Sequence, residues 1–222
     1  MSNFLSDFEA VIFDMDGVLI DSEPLWKIAM EEVFTSLGSM LSKKDFEKTV
    51  GLRIDEVIHF WNKQENWGIE DENEIAERII SKMEILISQN PKPLDGVVET
   101  LKLLEEMNLK IGLATSSSSR LISIVLRELN IQHYFHAVCS AENENYGKPH
   151  PSVYISVAKK LKISPTKCLV IEDSYNGVIS GLAARMKVVC IPEKTHLVNP
   201  KLNLADYTFK SMKDFYHEIK NI

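Results

Sequence analysis

The stretch Ala10-Val-Ile-Phe13-Asp14-Met-Asp16-Gly17-Val18 joins a short apolar run to a pair of carboxylates. Continuous apolar runs of this length are typical of strands that are buried on both faces of a parallel sheet. Clefts in open α/β sheets form at the carboxyl ends of such strands. The stretch therefore predicts a buried strand that delivers Asp14 and Asp16 to a cleft, although Asp-x-Asp-Gly alone also fits an ordinary acidic turn.

Four further apolar runs follow along the chain, at 110–114, 137–139, 168–171 and 187–191. Residues with apolar side chains at helical spacing lie between or beside these runs, at 97–107, 120–129, 153–161 and 178–184. Alternation of strands and helices favours helices on both faces of a parallel sheet. The sequence thus predicts an α/β fold with a Rossmann-like, doubly wound core.

The connection from the first run to the second is far longer than a crossover between parallel strands requires. It contains four helix-like segments, at 24–37, 43–50, 55–64 and 72–87. We expect residues 21–90 to form a small α-helical cap domain. The core would then be discontinuous, comprising residues 1–20 and 91–222, and the two linkers would form a hinge.

Polar groups follow three of the other apolar runs. Thr115 and Ser116 precede a helix, where hydroxyl and amide groups can bind an anion or simply cap the helix. Lys148 lies in a proline-rich turn, and Glu172 and Asp173 supply oxygen atoms of the kind that Mg²⁺ prefers. Each motif is weak alone, but their joint position at one sheet edge predicts phosphoryl transfer, which depends on positioning and charge neutralisation.

Composition limits the class of protein and of partner. The chain has 222 residues, a formal net charge of −7 and scattered basic residues, so we expect no nucleic-acid partner. It has no apolar run of about 18 residues and no signal-peptide pattern, which predicts no membrane partner and a cytoplasmic location. Three separated cysteines are expected to be buried free thiols. No interface pattern is evident, and we expect a monomer.

Four motifs in this order resemble those of the haloacid dehalogenase superfamily. They are Asp14-x-Asp16-Gly17, Thr115-Ser116, Lys148-Pro149 and Glu172-Asp173. The resemblance covers essentially the whole chain. The position of the predicted cap, after the first motif, is similar to that in the β-phosphoglucomutase-like subfamily. The segments 21–26, 51–55 and 174–177 look closest to the hexitol-phosphate and 2-deoxyglucose-6-phosphate phosphatases.

This resemblance implies a Mg²⁺-dependent phosphatase that acts on a small phosphorylated metabolite such as a sugar or polyol phosphate. Asp14 would attack phosphorus and become an aspartyl-phosphate, while Asp16 would serve as general acid and base. Thr115 and the amide of Ser116 would hold the phosphoryl group, and Lys148 would neutralise it.

The resemblance also implies the metal ligands. Mg²⁺ would be bound by Asp14, by the backbone carbonyl of Asp16 and by Asp173. Glu172 would be a further ligand or would lie directly behind the ligands. From the cap, Arg53 would reach the substrate, although a surface position fits its sequence context equally well.

Two other functions stay open at this point. A phosphosugar mutase of the β-phosphoglucomutase type would share the motifs, but such mutases carry a histidine about where Trp26 stands. A non-catalytic binder of sugar phosphates would share the fold, although such proteins usually lack one of the catalytic aspartates. Trp26 and Glu23 lie near the hinge, where they could face the cleft or, for Trp26, the helical core.

Overall fold

The computed structural model describes residues 4–192 and 200–220. Six strands form one sheet in the order β3-β2-β1-β4-β5-β6, and every neighbouring pair is parallel. The strands are β1 Ala10–Phe13, β2 Lys110–Thr115, β3 Ala137–Ser140, β4 Cys168–Glu172, β5 Lys187–Cys190 and β6 Tyr207–Thr208. The order reverses at β1, which lies between β2 and β4, and a cleft forms at such a reversal.

Eight α-helices accompany the sheet within the described part of the chain. They are α1 Glu23–Thr35, α2 Ile54–Glu65, α3 Glu72–Gln89, α4 Val97–Glu106, α5 Ser119–Glu128, α6 Ser152–Leu161, α7 Tyr175–Ala183 and α8 Met212–Lys220. None of the helices in residues 4–192 and 200–220 combines the length and the apolar character that crossing a membrane would require.

Helices cover both faces of the sheet because its central strands are apolar on both sides. Val11 and Phe13 of β1 pack in the cluster that contains α4, α5 and α8. Ala10 and Ile12 of the same strand pack in the cluster that contains α6 and α7. Successive residues of a strand point to opposite faces, so this division follows directly from the strand geometry. The predicted α/β, Rossmann-like doubly wound core is confirmed.

The long connection between β1 and β2 contains helices α1, α2 and α3. Helix α3 packs against both α1 and α2, and it also contacts α5 of the core. The two linkers of this insertion lie side by side, since Leu94 N donates to Leu19 O over 3.0 Å and Ile20 bridges Pro93. The cap boundaries at 21 and 90 remain a prediction, and the adjacent linkers are the arrangement that a hinge requires.

The structure differs from the sequence prediction at three places. The helix expected at 43–50 is a short 3-10 helix, Asp45–Thr49. Strand β6 was not predicted because it has two exposed residues and so lacks an apolar run. Helix α8 was not predicted either; it buries Phe215 and Ile219 and packs on helix α4. All three cysteines are free and buried, as expected.

Candidate active site

The carboxyl edge of the sheet brings the four motifs together. Asp14 directly follows β1, and its backbone N–H donates to the carbonyl of Ile171 in β4 over 2.9 Å. This bond extends the parallel ladder by one residue and fixes the start of the turn that carries Asp14 and Asp16. Asp14 is only 7% exposed, so its carboxylate lies at the floor of the site rather than on its rim.

Lys148 is the centre of a buried hydrogen-bond network. Its Nζ donates to Asp14 Oδ1 at 2.8 Å, to Glu172 Oε1 at 2.6 Å, to the carbonyl of Ala114 at 3.1 Å and to Tyr154 Oη at 3.1 Å. The side chain is 2% exposed. A buried ammonium is tolerated when it is paired and hydrogen-bonded, and here one cation is shared by two carboxylates.

The pKa values of these groups follow from burial and from that sharing. Burial alone would lower the pKa of Lys148, but the negative charges of Asp14 and Glu172 outweigh it and raise the pKa. Burial alone would raise the pKa of Glu172, but the charge and hydrogen bond of Lys148 hold it below its ordinary value. For Asp14, burial together with the charges of Glu172 and Asp16 raises the pKa to about 7 despite Lys148.

The site therefore carries more negative charge than its one lysine can neutralise. Oxygen atoms of Asp14, Glu172 and Asp173 lie within 4.8 Å of one another, which is close enough to share a metal ion. An all-oxygen donor set with excess negative charge suits a hard divalent cation such as Mg²⁺. The residues present thus fit the predicted metal.

Glu172 has both oxygen atoms occupied by protein donors. Oε1 accepts from Lys148 and from the hydroxyl of Tyr154 at 2.7 Å. Oε2 accepts from the backbone N–H groups of Asp173 and Ser174 and from the Ser174 hydroxyl, each at 3.1 Å. Glu172 therefore links the lysine to the loop that carries Asp173. Its place as a further metal ligand or behind the ligands stays a prediction.

Two glycines make room for these acidic groups. A Cβ atom on Gly17, whose φ is +72°, would lie 2.0 Å from Oδ2 of Asp173. A Cβ atom on Gly177 would lie 1.8 Å from Oε1 of Glu172. Neither approach is possible for a residue with a side chain, so these glycines permit the close packing of the acidic cluster.

Asp16 faces the inserted helices instead of the buried network. Its Oδ1 accepts from the Ser22 hydroxyl at 2.5 Å and from Nε1 of Trp26 at 3.0 Å. Its Oδ2 accepts from the Ser117 hydroxyl at 2.7 Å and, at 3.5 Å, from Thr115 Oγ1. The carboxylate is thus held between the core and helix α1, beside Asp14 but with a separate set of partners.

The hydroxyl-rich loop after β2 lines the same cavity. The Thr115 hydroxyl accepts from the backbone N–H of Ser117 at 3.1 Å, and Ser118 caps helix α5. The capping role considered for the serines therefore belongs to Ser118. The Ser116 hydroxyl donates to the carbonyl of Gly51 at 3.0 Å, which joins the loop to the inserted helices.

One cavity contains the core motifs and a part of the insertion. Among the residues that line it are Asp14, Asp16, Thr115, Ser116, Lys148 and Asp173 from the core. The loop around Gly51 lines the cavity from the side of the insertion, and the Asn176 side chain donates to the carbonyl of Val50 at 3.2 Å. The insertion is thus hydrogen-bonded to the sheet edge at this loop.

Arg53 lies beside the cavity and does not line it. Its Nη1 donates to the carbonyls of Ala141 and Glu144 at 3.2 and 3.0 Å, across the boundary between insertion and core. Its Nη2 lies 3.2 Å from Asp55 and 3.4 Å from Glu56. In this arrangement the guanidinium joins two segments of the protein, and a contact with substrate stays a prediction.

Sequence reasoning missed three polar residues of the site, Ser22, Ser117 and Tyr154. Ser22 contacts Asp16 together with Trp26, which was a candidate for the cleft, and their spacing of four residues at the start of α1 places them on one helix face. That spacing is a signal that could have found Ser22. Ser117 is one of four consecutive serines, at 116–119, and the sequence does not distinguish it from its neighbours. Tyr154 belongs to an amphipathic helix pattern, and no feature of that pattern distinguishes it from a core residue.

The chain is similar over most of its length to known phosphatases. It is 39% identical to hexitol phosphatase B of Escherichia coli strain K12 over 206 residues, which cover 92% of this chain and 93% of that protein. It is 33% identical to a phosphorylated carbohydrates phosphatase of Thermotoga maritima over 183 residues, covering 79% and 81% respectively. The crystal structure of β-phosphoglucomutase from Clostridium difficile aligns with a TM-score of 0.83 at 25% identity, covering 96% and 98%.

A family model gives the same result for the part of the chain that contains the site. The model, described as haloacid dehalogenase-like hydrolase, matches residues 11–191. That range includes Asp14, Thr115, Lys148 and Asp173, which represent all four motifs. The resemblance stated from the sequence is confirmed, and the chain belongs to the family of haloacid dehalogenase-like hydrolases.

Proposed function

We propose that this protein is a Mg²⁺-dependent phosphatase that hydrolyses sugar or polyol phosphates through an aspartyl-phosphate on Asp14. The observation that carries the proposal is the pairing of Lys148 Nζ with Asp14 Oδ1 at 2.8 Å, on the floor of a cavity that also contains Asp16. The names of the hexitol phosphatase and of the phosphorylated carbohydrates phosphatase support the substrate class.

In the first step, a carboxylate oxygen of Asp14 attacks phosphorus and the bond from phosphorus to the ester oxygen breaks. Asp16 donates its proton to the departing ester oxygen, which leaves as an alcohol. Lys148 holds one oxygen of Asp14 and so limits rotation of the nucleophile. A nucleophile held near its attacking orientation avoids part of the entropic cost of reaction.

In the second step, water attacks phosphorus and the bond from phosphorus to the Asp14 oxygen breaks. Asp16, now ionised, takes the proton from this water, and inorganic phosphate is released. The donors Ser22, Trp26 and Ser117 hold the Asp16 carboxylate beside Asp14 in both steps. One carboxyl group thus returns to its starting protonation state after each cycle.

The phosphoryl group would be bound by the Thr115 hydroxyl, by the backbone amide of Ser116 and by Lys148. Thr115 and Ser116 precede helix α5, where backbone N–H groups are available for an anion, and Lys148 reaches the same place from the turn before α6. Asp14, the backbone carbonyl of Asp16 and Asp173 would hold Mg²⁺, and Glu172 would orient Lys148. When bound, Mg²⁺ would neutralise part of the negative charge on the phosphoryl group.

Residues 21–90 would act as a cap that opens and closes on a core of residues 1–20 and 91–222. The adjacent linkers at Leu19 and Leu94 support a hinge at this place. Closure would exclude water while the ester is in the site, and opening would release the products.

The test is phosphate release from a panel of sugar and polyol phosphates, measured with Mg²⁺ and with EDTA. We expect release that depends on Mg²⁺ and that Asp14→Asn reduces at least about 10³-fold. Asp7→Asn is the matched control, because Asp7 is exposed and does not line the cavity. An isomerised sugar phosphate in place of free phosphate would identify a mutase and would contradict the proposal.

A further inference from the structure

The two walls of the cavity differ in chemistry. The core wall carries the carboxylates, the hydroxyl loop and Lys148. The wall formed by the insertion, here called the cap wall, is mainly apolar and includes Trp26, Met30, Phe46, Leu52, Val57 and Ile80. The single charged residue on the described cap wall is Glu23, at the start of helix α1.

The described residues that line the cavity supply no cation for a second anionic group. Among the described residues that line it, Lys148 is the one basic residue, and Asp14 and Glu172 already share it. Arg53 lies outside the cavity, where carbonyls and carboxylates hold its guanidinium. Lys27 does not line the cavity, and its Nζ lies 3.6 Å from a Glu23 oxygen.

These walls have opposite consequences for two kinds of ester. A second phosphate or a carboxylate on the substrate would move from water to a site beside Glu23 and apolar side chains. This transfer is unfavourable because the group loses its hydration and is repelled by the like charge of Glu23. An uncharged carbon chain would pack its C–H surface against Trp26 and the aliphatic side chains. One of its hydroxyls could donate a hydrogen bond to the Glu23 carboxylate.

We propose that Glu23 and the cap wall restrict this enzyme to monophosphate esters whose carbon part is uncharged, and that Glu23 accepts a substrate hydroxyl. The inference rests on the proposed function and narrows its substrate class. Sugar and polyol monophosphates satisfy it, whereas sugar bisphosphates and phosphorylated sugar acids do not.

The first experiment compares kcat/KM within matched pairs of esters. The pairs are a hexitol 6-phosphate with its 1,6-bisphosphate, and glucose 6-phosphate with 6-phosphogluconate. We expect the monophosphate with the uncharged carbon part to be preferred at least about 100-fold in each pair. Equal kcat/KM values within the pairs would overturn the inference while leaving the proposed function intact.

Variants of Glu23 assign the effect to this residue. Glu23→Gln should reduce the preference about 10-fold, because it removes the charge but keeps the shape. Glu23→Asp keeps the charge and should retain most of the wild-type preference. Glu31→Gln is on the same helix but outside the cavity, and it should leave the preference unchanged. An unchanged preference in Glu23→Gln would overturn the role of Glu23.

Binding provides a readout that does not depend on turnover. Calorimetric titration of Asp14→Asn with each ester should give a dissociation constant at least about 10-fold lower for the monophosphate of each pair. If no ester is hydrolysed but this preference holds, the proposed function fails and the inference about the cap wall stands. If the two members of a pair bind equally, or neither binds, the inference is overturned.

Discussion

The indole Nε1 of Trp26 donates a hydrogen bond to Oδ1 of Asp16 over 3.0 Å. Trp26 belongs to helix α1 of the insertion, whereas Asp16 belongs to the loop after β1 of the core. Asp16 also accepts from Ser22, in the linker, and from Ser117, in the core. The orientation of the proposed general acid therefore depends on the position of the inserted helices.

Trp26→Phe should lower kcat about 10-fold and change KM less. The substitution keeps an aromatic ring in the cavity but removes the N–H that orients Asp16, and general acid–base catalysis contributes about 10²–10⁴-fold in enzymes. Steady-state kinetics on one hexitol phosphate would measure this effect. Trp67→Phe is the control, because Trp67 packs on Phe34 and does not line the cavity. Equal kcat values for the two variants would contradict this role.

Lys148→Met should destabilise the metal-free protein by about 3–5 kcal/mol, since it leaves two buried carboxylates without their cation. Urea unfolding in EDTA measures this loss. Adding Glu172→Gln to the same chain removes one of the two charges and should recover part of the stability. The losses in free energy of unfolding are then compared among the Lys148→Met, Glu172→Gln and double variants. If the loss in the double variant equals the sum of the losses in the two single variants, the charges are not coupled in this way.

Gly17→Ala should weaken Mg²⁺ binding at least about 10-fold, because the new Cβ would displace Asp173 from the acidic cluster. Gly38→Ala is a matched control, since Gly38 also has a positive φ, of +83°, but has no atom within 4 Å of the added Cβ. Both variants share the backbone strain, of about 1–2 kcal/mol, and only the first should lose metal affinity. Calorimetric titration with Mg²⁺ distinguishes them.

The stability of the metal-free protein should depend on the protonation of Asp14. Burial raises the pKa of Asp14 from 3.8 to about 7, so the folded chain keeps this proton at pH values where the unfolded chain has lost it. The contribution of Asp14 to stability is therefore full below about pH 4 and declines as the pH rises toward 7.

Asp14→Asn removes this titration. Relative to the wild type in EDTA, the variant should gain stability as the pH rises from 4 to 7 and then level off. Urea unfolding at several pH values gives the difference directly. A difference that is constant across this range would show that Asp14 does not titrate there.

The sequence was sufficient for the parts of the fold that depend on local pattern. The five apolar runs became β1–β5, and the motifs after them meet at one sheet edge because parallel strands end on the same side. Strand β6 is too short and exposed to give such a pattern. Helix α8 packs on helix α4, so its place in the fold depends on tertiary contacts.

The parts of the site that depend on the placement of the insertion were not predictable in the same way. Arg53 and Trp26 were both candidates for contact with the cleft. Only the packing of α1 and α2 on the core directs the Trp26 indole to Asp16 and the Arg53 guanidinium to backbone carbonyls of the core. The spacing of residues within α1 and α2 predicts which side chains share a helix face, but it does not fix where those helices pack on the core.

The most direct test of the central claim is a search for a phosphoryl group on Asp14. A saturating hexitol phosphate would be mixed with the Mg²⁺-loaded enzyme, the reaction quenched in acid within milliseconds, and the peptides analysed by mass spectrometry. We expect one added phosphoryl group on the peptide that contains Asp14, and borohydride should reduce the phosphorylated Asp14 side chain to homoserine. Rapid hydrolysis with no phosphoryl group on Asp14, or with one on a different residue, would contradict the central claim.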